Sequence, residues 1–212
     1  MKYTALLALA TFTAPAAAQD GPQPHLAEGE SIEAELRADL NGDKVPDVAF
    51  VAVKDGAREL RVATSFVNAV EIGDQPVQVL ALDPYPLADA VLTVRSSKRG
   101  PVLVVEELTG GTTAVASTHR FRWARDLGAM RLIGLDATLY SRTFAHDGRE
   151  ASWNLLTGNL VTRTLKLNTG KDDVAYDRVE EQRSKKPSRV LRLEQSPSGD
   201  ELLGWPIAGE DR

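Results

Sequence analysis

The sequence predicts a mainly β protein: a single antiparallel β-rich domain, built as a sandwich or as a curved sheet or barrel. Three observations carry this expectation. Short runs in which apolar and polar residues alternate recur along the chain, separated by Gly, Pro, Asn and Asp turn signals. Apolar residues at helical spacing are scarce, so few segments read as amphipathic helix. One stretch, Asp39 to Asp47, places oxygen-bearing residues at alternate positions between two strand-like runs.

The N-terminus reads as an export signal. Met1 and Lys2 form a short basic region, Thr4 to Phe12 is apolar, Pro15 breaks the run, and Ala16-Ala17-Ala18 satisfies the small-residue cleavage rule. A signal peptide over residues 1–18 is expected, with Gln19 as the first mature residue. The apolar run is too short for a membrane span. The chain has no cysteine to take a lipid anchor, so the expected location is periplasmic or secreted. Residues 19–30, with Gly21, Pro22, Pro24 and Gly29, are expected to form a flexible lead-in.

The core domain is expected over residues 31–167. Ile32, Ala34, Leu36 and Ala38 alternate with Ser31, Glu33, Glu35 and Arg37, which predicts a strand. Val48 to Val53 predicts a second. Asp55-Gly56 is a turn signal before Leu60 to Thr64, completing a hairpin. Gly73 to Pro86, with three prolines, reads as loop-rich. Val91 to Val94 and Val102 to Val105 flank a polar turn at Ser96 to Gly100, and Gly110-Gly111 ends that run. Val115, Ser117, His119, Phe121 and Trp123 share one face of a long strand, with Ala116, Thr118, Arg120 and Arg122 on the other. After a turn at Arg125 to Gly128, Met130 to Tyr140 returns with Ile133, Leu135, Ala137 and Leu139 on one face. Turns at Asp147-Gly148 and Thr157 to Asn159 precede a strand at Leu160 to Leu167.

Residues 168–212 read as a charged extension partly docked on the core. Lys171 to Ser188 is dense in charge. Val190, Leu191 and Leu193 suit a last strand or a short helix, Leu202, Leu203, Trp205 and Ile207 could dock, and Gly209 to Arg212 is expected to fray.

Composition narrows the function classes. The chain has 212 residues and a formal net charge of −5, one unit lower once Lys2 leaves with the signal peptide. A mildly acidic protein has no general attraction for nucleic acid or anionic membrane. Without cysteine there are no disulfides, so stability rests on the core and on any bound ion.

The stretch Asp39-Leu40-Asn41-Gly42-Asp43-Lys44-Val45-Pro46-Asp47 is the one that specifies a chemistry. Calcium takes six to eight oxygen ligands, which a short loop supplies at alternate positions. Asp39, Asn41 and Asp43 offer side-chain oxygens, Val45 its backbone carbonyl, and Asp47 a closing carboxylate. Position twelve is Phe50, where an EF-hand has glutamate, and the flanks are strands, so this is not an EF-hand. Three carboxylates so close repel one another by about 4 kcal/mol per pair at an effective dielectric near 20, before relaxation, and a divalent cation removes that repulsion. The alternative is a solvated turn rich in Asp and Asn.

The loop resembles the calcium loop of FG-GAP and VCBS-type repeats, whose pattern is D-x-[DN]-G-D-G-x-x-D, with Lys44 standing where the second glycine falls. Such repeats build β-propellers in series. Here there is one copy, and Asn168 to Asp173 has the composition without the spacing. Gly110-Gly111, Phe121 to Trp123, Leu132 to Gly134 and Asn154 to Gly158 are similar to segments of a group of uncharacterised bacterial exported proteins that carry one such loop. That resemblance covers residues 30 to 167 and implies a periplasmic address, a bound Ca2+ and no assigned activity. The expectation is a calcium-stabilised β domain acting as a non-enzymatic accessory or interaction module, its partner an unknown protein or envelope component.

Other chemistries find less support. His25, His119 and His146 lack ligand spacing for zinc, and no Gly-x-Ser-x-Gly elbow is present. Glu106 and Glu107 are adjacent on a strand and point to opposite faces. A hydrolase acting on an envelope polymer would need acids such as Asp136 or Glu107 converging in a concave pocket. A structural or oligomeric envelope protein would show a large apolar patch. Arg120, Arg122 and Arg131 could face an anion or simply solvent.

Overall fold

Alternation closes the chain into two antiparallel sheets. The computed structural model describes residues 25–67, 72–74, 76–170 and 174–204. In chain order the strands are β1 (Ser31–Ala38), β2 (Asp47–Lys54), β3 (Ala57–Ala63), β4 (Ser65–Val67), β5 (Ile72–Asp74), β6 (Gln78–Leu82), β7 (Val91–Arg95), β8 (Val102–Gly110), β9 (Thr113–Ala124), β10 (Ala129–Ser141), β11 (Gly148–Asn154), β12 (Asn159–Leu167) and β13 (Tyr176–Lys185). A 3-10 turn at Leu193–Gln195 and a helical turn α1 (Gly199–Leu203) follow. One sheet has the order β1-β2-β3-β6, and the other runs from β13 to β7 with each strand beside its chain neighbour. The pair β4-β5 is a small separate ribbon. Among the described residues no helix is long and apolar enough to cross a membrane.

The two sheets share one apolar core, the arrangement of a β-sandwich. Ala49, Val51, Leu60 and Val62 from the smaller sheet meet Leu103, Phe121, Leu132 and Leu135 from the larger. Strand β2 is buried on both faces, which is why it reads as a continuous apolar run. Its other face, Val48, Phe50 and Ala52, forms a second cluster with Leu26, Ile32 and Val77. Fully burying Phe50 contributes about 1.5–3 kcal/mol, and the His25 ring stacks on it with centroids 6.4 Å apart. Over the described part of the lead-in expected at 19–30, His25, Leu26 and Glu30 are half-buried while residues 27–29 are exposed. The signal peptide 1–18 and residues 19–24 lie outside the described residues.

Three local expectations need correction. Ile133 does not share a face with Leu135. The register between β9 and β10 slips between Leu132 and Gly134, so Ile133 sits in a bulge and the inward phase switches from even to odd positions. The loop-rich segment 73–86 holds a strand that its prolines hide. Pro76 and Pro84 bracket β6, which pairs with β3 and completes the smaller sheet. The charged stretch after residue 171 contains a strand, because β13 pairs with β12 and forms an exposed, ionic edge. Residues 171–173 lie outside the description.

The C-terminal segment docks across the larger sheet. Leu191, Leu193 and Leu202 join the shared core, with Leu203 packed against it. The N–H of Leu132 donates to the Leu191 carbonyl at 3.0 Å. Gly199 lies so close to β9 that a Cβ there would meet the Ser117 side chain at 2.9 Å. Trp205, Ile207 and residues 209–212 lie outside the described residues.

Candidate metal-binding loop

The loop Asp39 to Asp47 joins β1 to β2, as the flanking alternation predicts. Leu40, fully buried, pins its start to the core. Residues 39, 41, 43 and 45 are half-buried, while 42, 44 and 46 are exposed. The positions with ligand spacing are thus the less exposed ones of the loop. Two left-handed residues make this tight path, Gly42 at φ 84° and Lys44 at φ 73°. Glycine takes that conformation freely, whereas a residue with a Cβ is strained there by about 1–2 kcal/mol.

The side chains hold the loop backbone. Asp39 accepts the N–H groups of Gly42 at 2.5 Å and Lys44 at 3.0 Å. Asn41 accepts the Asp43 N–H at 2.9 Å, and its amide donates to Asp43 at 3.0 Å and to the Ser65 carbonyl at 2.6 Å. Asp43 accepts the Val45 N–H at 2.8 Å and lies 3.2 Å from the Ser65 hydroxyl oxygen. Asp47 is 1% exposed. One of its oxygens accepts the N–H groups of Leu40 at 2.7 Å and Asn41 at 3.1 Å, and the other accepts the Ser65 N–H at 2.8 Å and hydroxyl at 3.1 Å. Burial pushes the Asp47 carboxyl above its ordinary range, outweighing these hydrogen bonds.

The donor set suits a hard cation, since every candidate ligand is oxygen. A carboxylate has about four acceptor positions. Asp39 keeps free lone pairs beside its two bonds, and so does the Asn41 carbonyl. All four positions on Asp47 are taken, which makes it the clamp that ties the loop to the start of β4. Among the described residues no three acidic or histidine side chains gather at one metal-sized point. Ser65 is the loop partner that sequence reasoning missed. A serine after a strand is too common to signal, and only the fold brings it to Asp43 and Asp47.

Asp136 and Glu107, the two acids named for the hydrolase expectation, are not brought together. Register places Asp136 opposite Thr118, which is itself opposite Glu106, whereas Glu107 is opposite Ser117 on the other face. Asp136 lies outside, in an ion pair with Arg120 at 2.7 Å and accepting the Ser152 hydroxyl at 2.6 Å. Glu107 lines a cavity of about 110 Å³ with Asp83, Asp200, Glu201, Ser117 and His119. Burial pushes the Glu107 carboxyl up, and Arg58 pulls it back. Arg58 bonds Glu33 at 2.6 Å, Glu107 at 3.1 Å and the Asp83 carbonyl at 2.6 Å, so this buried network stitches β1, β3 and β8 together. His119 is buried and held neutral by desolvation, its Nε2–H donating to the Pro197 carbonyl at 2.9 Å. His146 bonds Thr113 at 2.8 Å, far along the chain from His25 on Phe50.

No family model, curated protein or solved structure matches this chain.

Proposed function

We propose that this chain is an exported β-sandwich stabilised by one Ca2+, acting as a non-enzymatic accessory or interaction module of the cell envelope. The observation that supports the reading is the alternation in loop 39–47, where Asp39, Asn41, Asp43 and Val45 are less exposed than the residues between them, on a path clamped by Asp47. The left-handed turns at Gly42 and Lys44 fall on the two positions that the resembling repeats fill with glycine. Asp39, Asn41 and Asp43 would hold the ion with side-chain oxygens and Val45 with its carbonyl, while Asp47 closes the loop. The ion would neutralise carboxylates that otherwise repel. The one deeply buried acid of the inner cavity is already paired with Arg58, which favours an accessory role over hydrolysis.

The test is thermal unfolding of residues 19–212 in EGTA and in millimolar calcium. A ligand that binds only the native state adds about 2.7 kcal/mol at a hundredfold excess over Kd. In a chain of this size that raises Tm by about 5–10 °C. The rise should be absent with magnesium and absent in Asp43→Ala. No rise, together with metal analysis showing a calcium-free protein, would overturn the proposal.

A further inference from the structure

The face of the seven-stranded sheet turned away from the core carries most of its arginines in ion pairs. Arg120 meets Asp136 and Arg163 meets Glu181, each at 2.7 Å. Arg178 meets Glu150 at 2.8 Å, and Arg183 meets Glu181 at 2.7 Å. One row differs. Arg122 on β9 lies directly opposite Arg131 on β10, and Arg131 lies directly opposite Arg192 in the C-terminal segment. Residues directly opposite share a face, and the buried Leu191 and Leu193 on either side of Arg192 fix its outward direction. Among the described residues no carboxylate lies within ion-pairing distance of these three, nor of Arg99 in the turn between β7 and β8.

Such a row stores repulsion. Like charges directly opposite on neighbouring strands are destabilising, with Cβ atoms about 4.5–5.5 Å apart. An arginine cannot relieve this by losing its proton. Arg99 sits in the turn just before Val102, and Leu103 pairs with Phe121 beside Arg122; burial lowers the Arg122 pKa, and the charges of Arg99 and Arg131 lower it further. The Nε of Arg131 is buried without a hydrogen-bond partner. Arg122 and Arg131 are half-buried, so solvent screens them less than the exposed Arg149 on the other face of the same sheet, which has no ion pair among the described residues.

We propose that Arg122, Arg131 and Arg192, with Arg99, form a binding site for an extended phosphoanion. Guanidinium forks take phosphoryl oxygens two at a time. Three forks on two adjacent strands and the C-terminal segment bridged to them span about 10 Å, which suits a short chain of phosphoryl groups better than a single compact ion. A soluble oligophosphate and the phosphodiester headgroups of a lipid surface both present this chemistry.

The experiment is calorimetric titration of the full chain with sodium tripolyphosphate, and co-sedimentation with phosphatidylglycerol or phosphatidylcholine vesicles. Calcium-free buffer keeps chelation at the loop out of the signal. Tripolyphosphate should bind and weaken with added salt. Arg131→Gln should lose about tenfold or more in affinity, and Arg149→Gln less than about twofold. Without ligand, Arg131→Gln should melt at or above the wild-type temperature, because repulsion is removed, so its lost binding is not unfolding. Binding to phosphatidylglycerol but not phosphatidylcholine would identify a lipid source, and tripolyphosphate alone a soluble one. Neither probe binding, or Arg149→Gln weakening binding as much as Arg131→Gln, would overturn the proposal.

Discussion

Replacing Asp47 with alanine should destabilise the chain by about 2–4 kcal/mol, with or without calcium. The carboxylate accepts three backbone N–H groups, from Leu40, Asn41 and Ser65, and one hydroxyl. Alanine orphans all of them in a largely buried setting. Three orphaned N–H groups at about 1–2 kcal/mol each sum to about 3–6 kcal/mol. Burial of the charge already works against the folded state, as the raised Asp47 pKa records, so removing it offsets part of that loss. Urea unfolding followed by tryptophan fluorescence, run in EGTA and in calcium, gives the difference. Asp47→Asn keeps the oxygen toward Ser65 but turns an amide N–H2 on the N–H groups of Leu40 and Asn41, so it should lose nearly as much. If Asp47 acted only as an ion ligand, both variants would match wild type in EGTA. A loss below about 1 kcal/mol in EGTA would refute the clamp.

Two further predictions follow from the buried and half-buried ion pairs. Arg58→Ala leaves Glu33 and Glu107 facing each other without a cation and should lose about 3–5 kcal/mol; an unchanged midpoint in urea would sink that reasoning. Glu30 accepts two bonds from Arg61 and one from the Ala27 N–H, and its carboxyl is held down from 4.5 to about 2. A lowered acid contributes stability that is fully present above the unfolded value and is lost as pH falls through the folded one. Glu30→Gln should therefore be less stable than wild type at neutral pH, with the gap closing between about pH 4.5 and pH 2. A gap that stays constant over that range would count against the pairing.

The fold was legible where one face of a strand is apolar and the other polar. The alternation around β1 and β9 places them correctly, and the turn signals at Asp55-Gly56 and Arg125 to Gly128 mark real hairpins. It was illegible where that contrast fails. β13 shows no apolar face because it is an edge held by backbone pairing and cross-strand ion pairs. β6 hides between prolines that argue for loop. The bulge at Ile133 inverts the phase of β10, which no periodicity reports in advance. At the loop, the spacing of Asp39, Asn41, Asp43 and Asp47 was readable. The division of labour was not, because the occupation of Asp47 depends on Ser65, eighteen positions away in sequence. The arginine row was half visible: Arg122 and Arg131 follow from the hairpin, but Arg192 reaches them only when the chain's end returns.

That return sets an order of events for a chain made from its N-terminus. Both sheets grow by adding strands beside the one just formed, so hairpins can zip as they emerge, with little loop entropy at each step. The closing piece comes last. Leu193 and Leu202 fill the interior only after every strand exists, and the segment carrying them touches β6 of one sheet and β9 and β10 of the other. Up to that moment the apolar bed around Leu135 and Ala137 stands open. The final fifteen or so described residues thus act as a latch on the timing of folding, and a nascent or end-clipped chain would linger in a collapsed, sticky form that the finished molecule never presents.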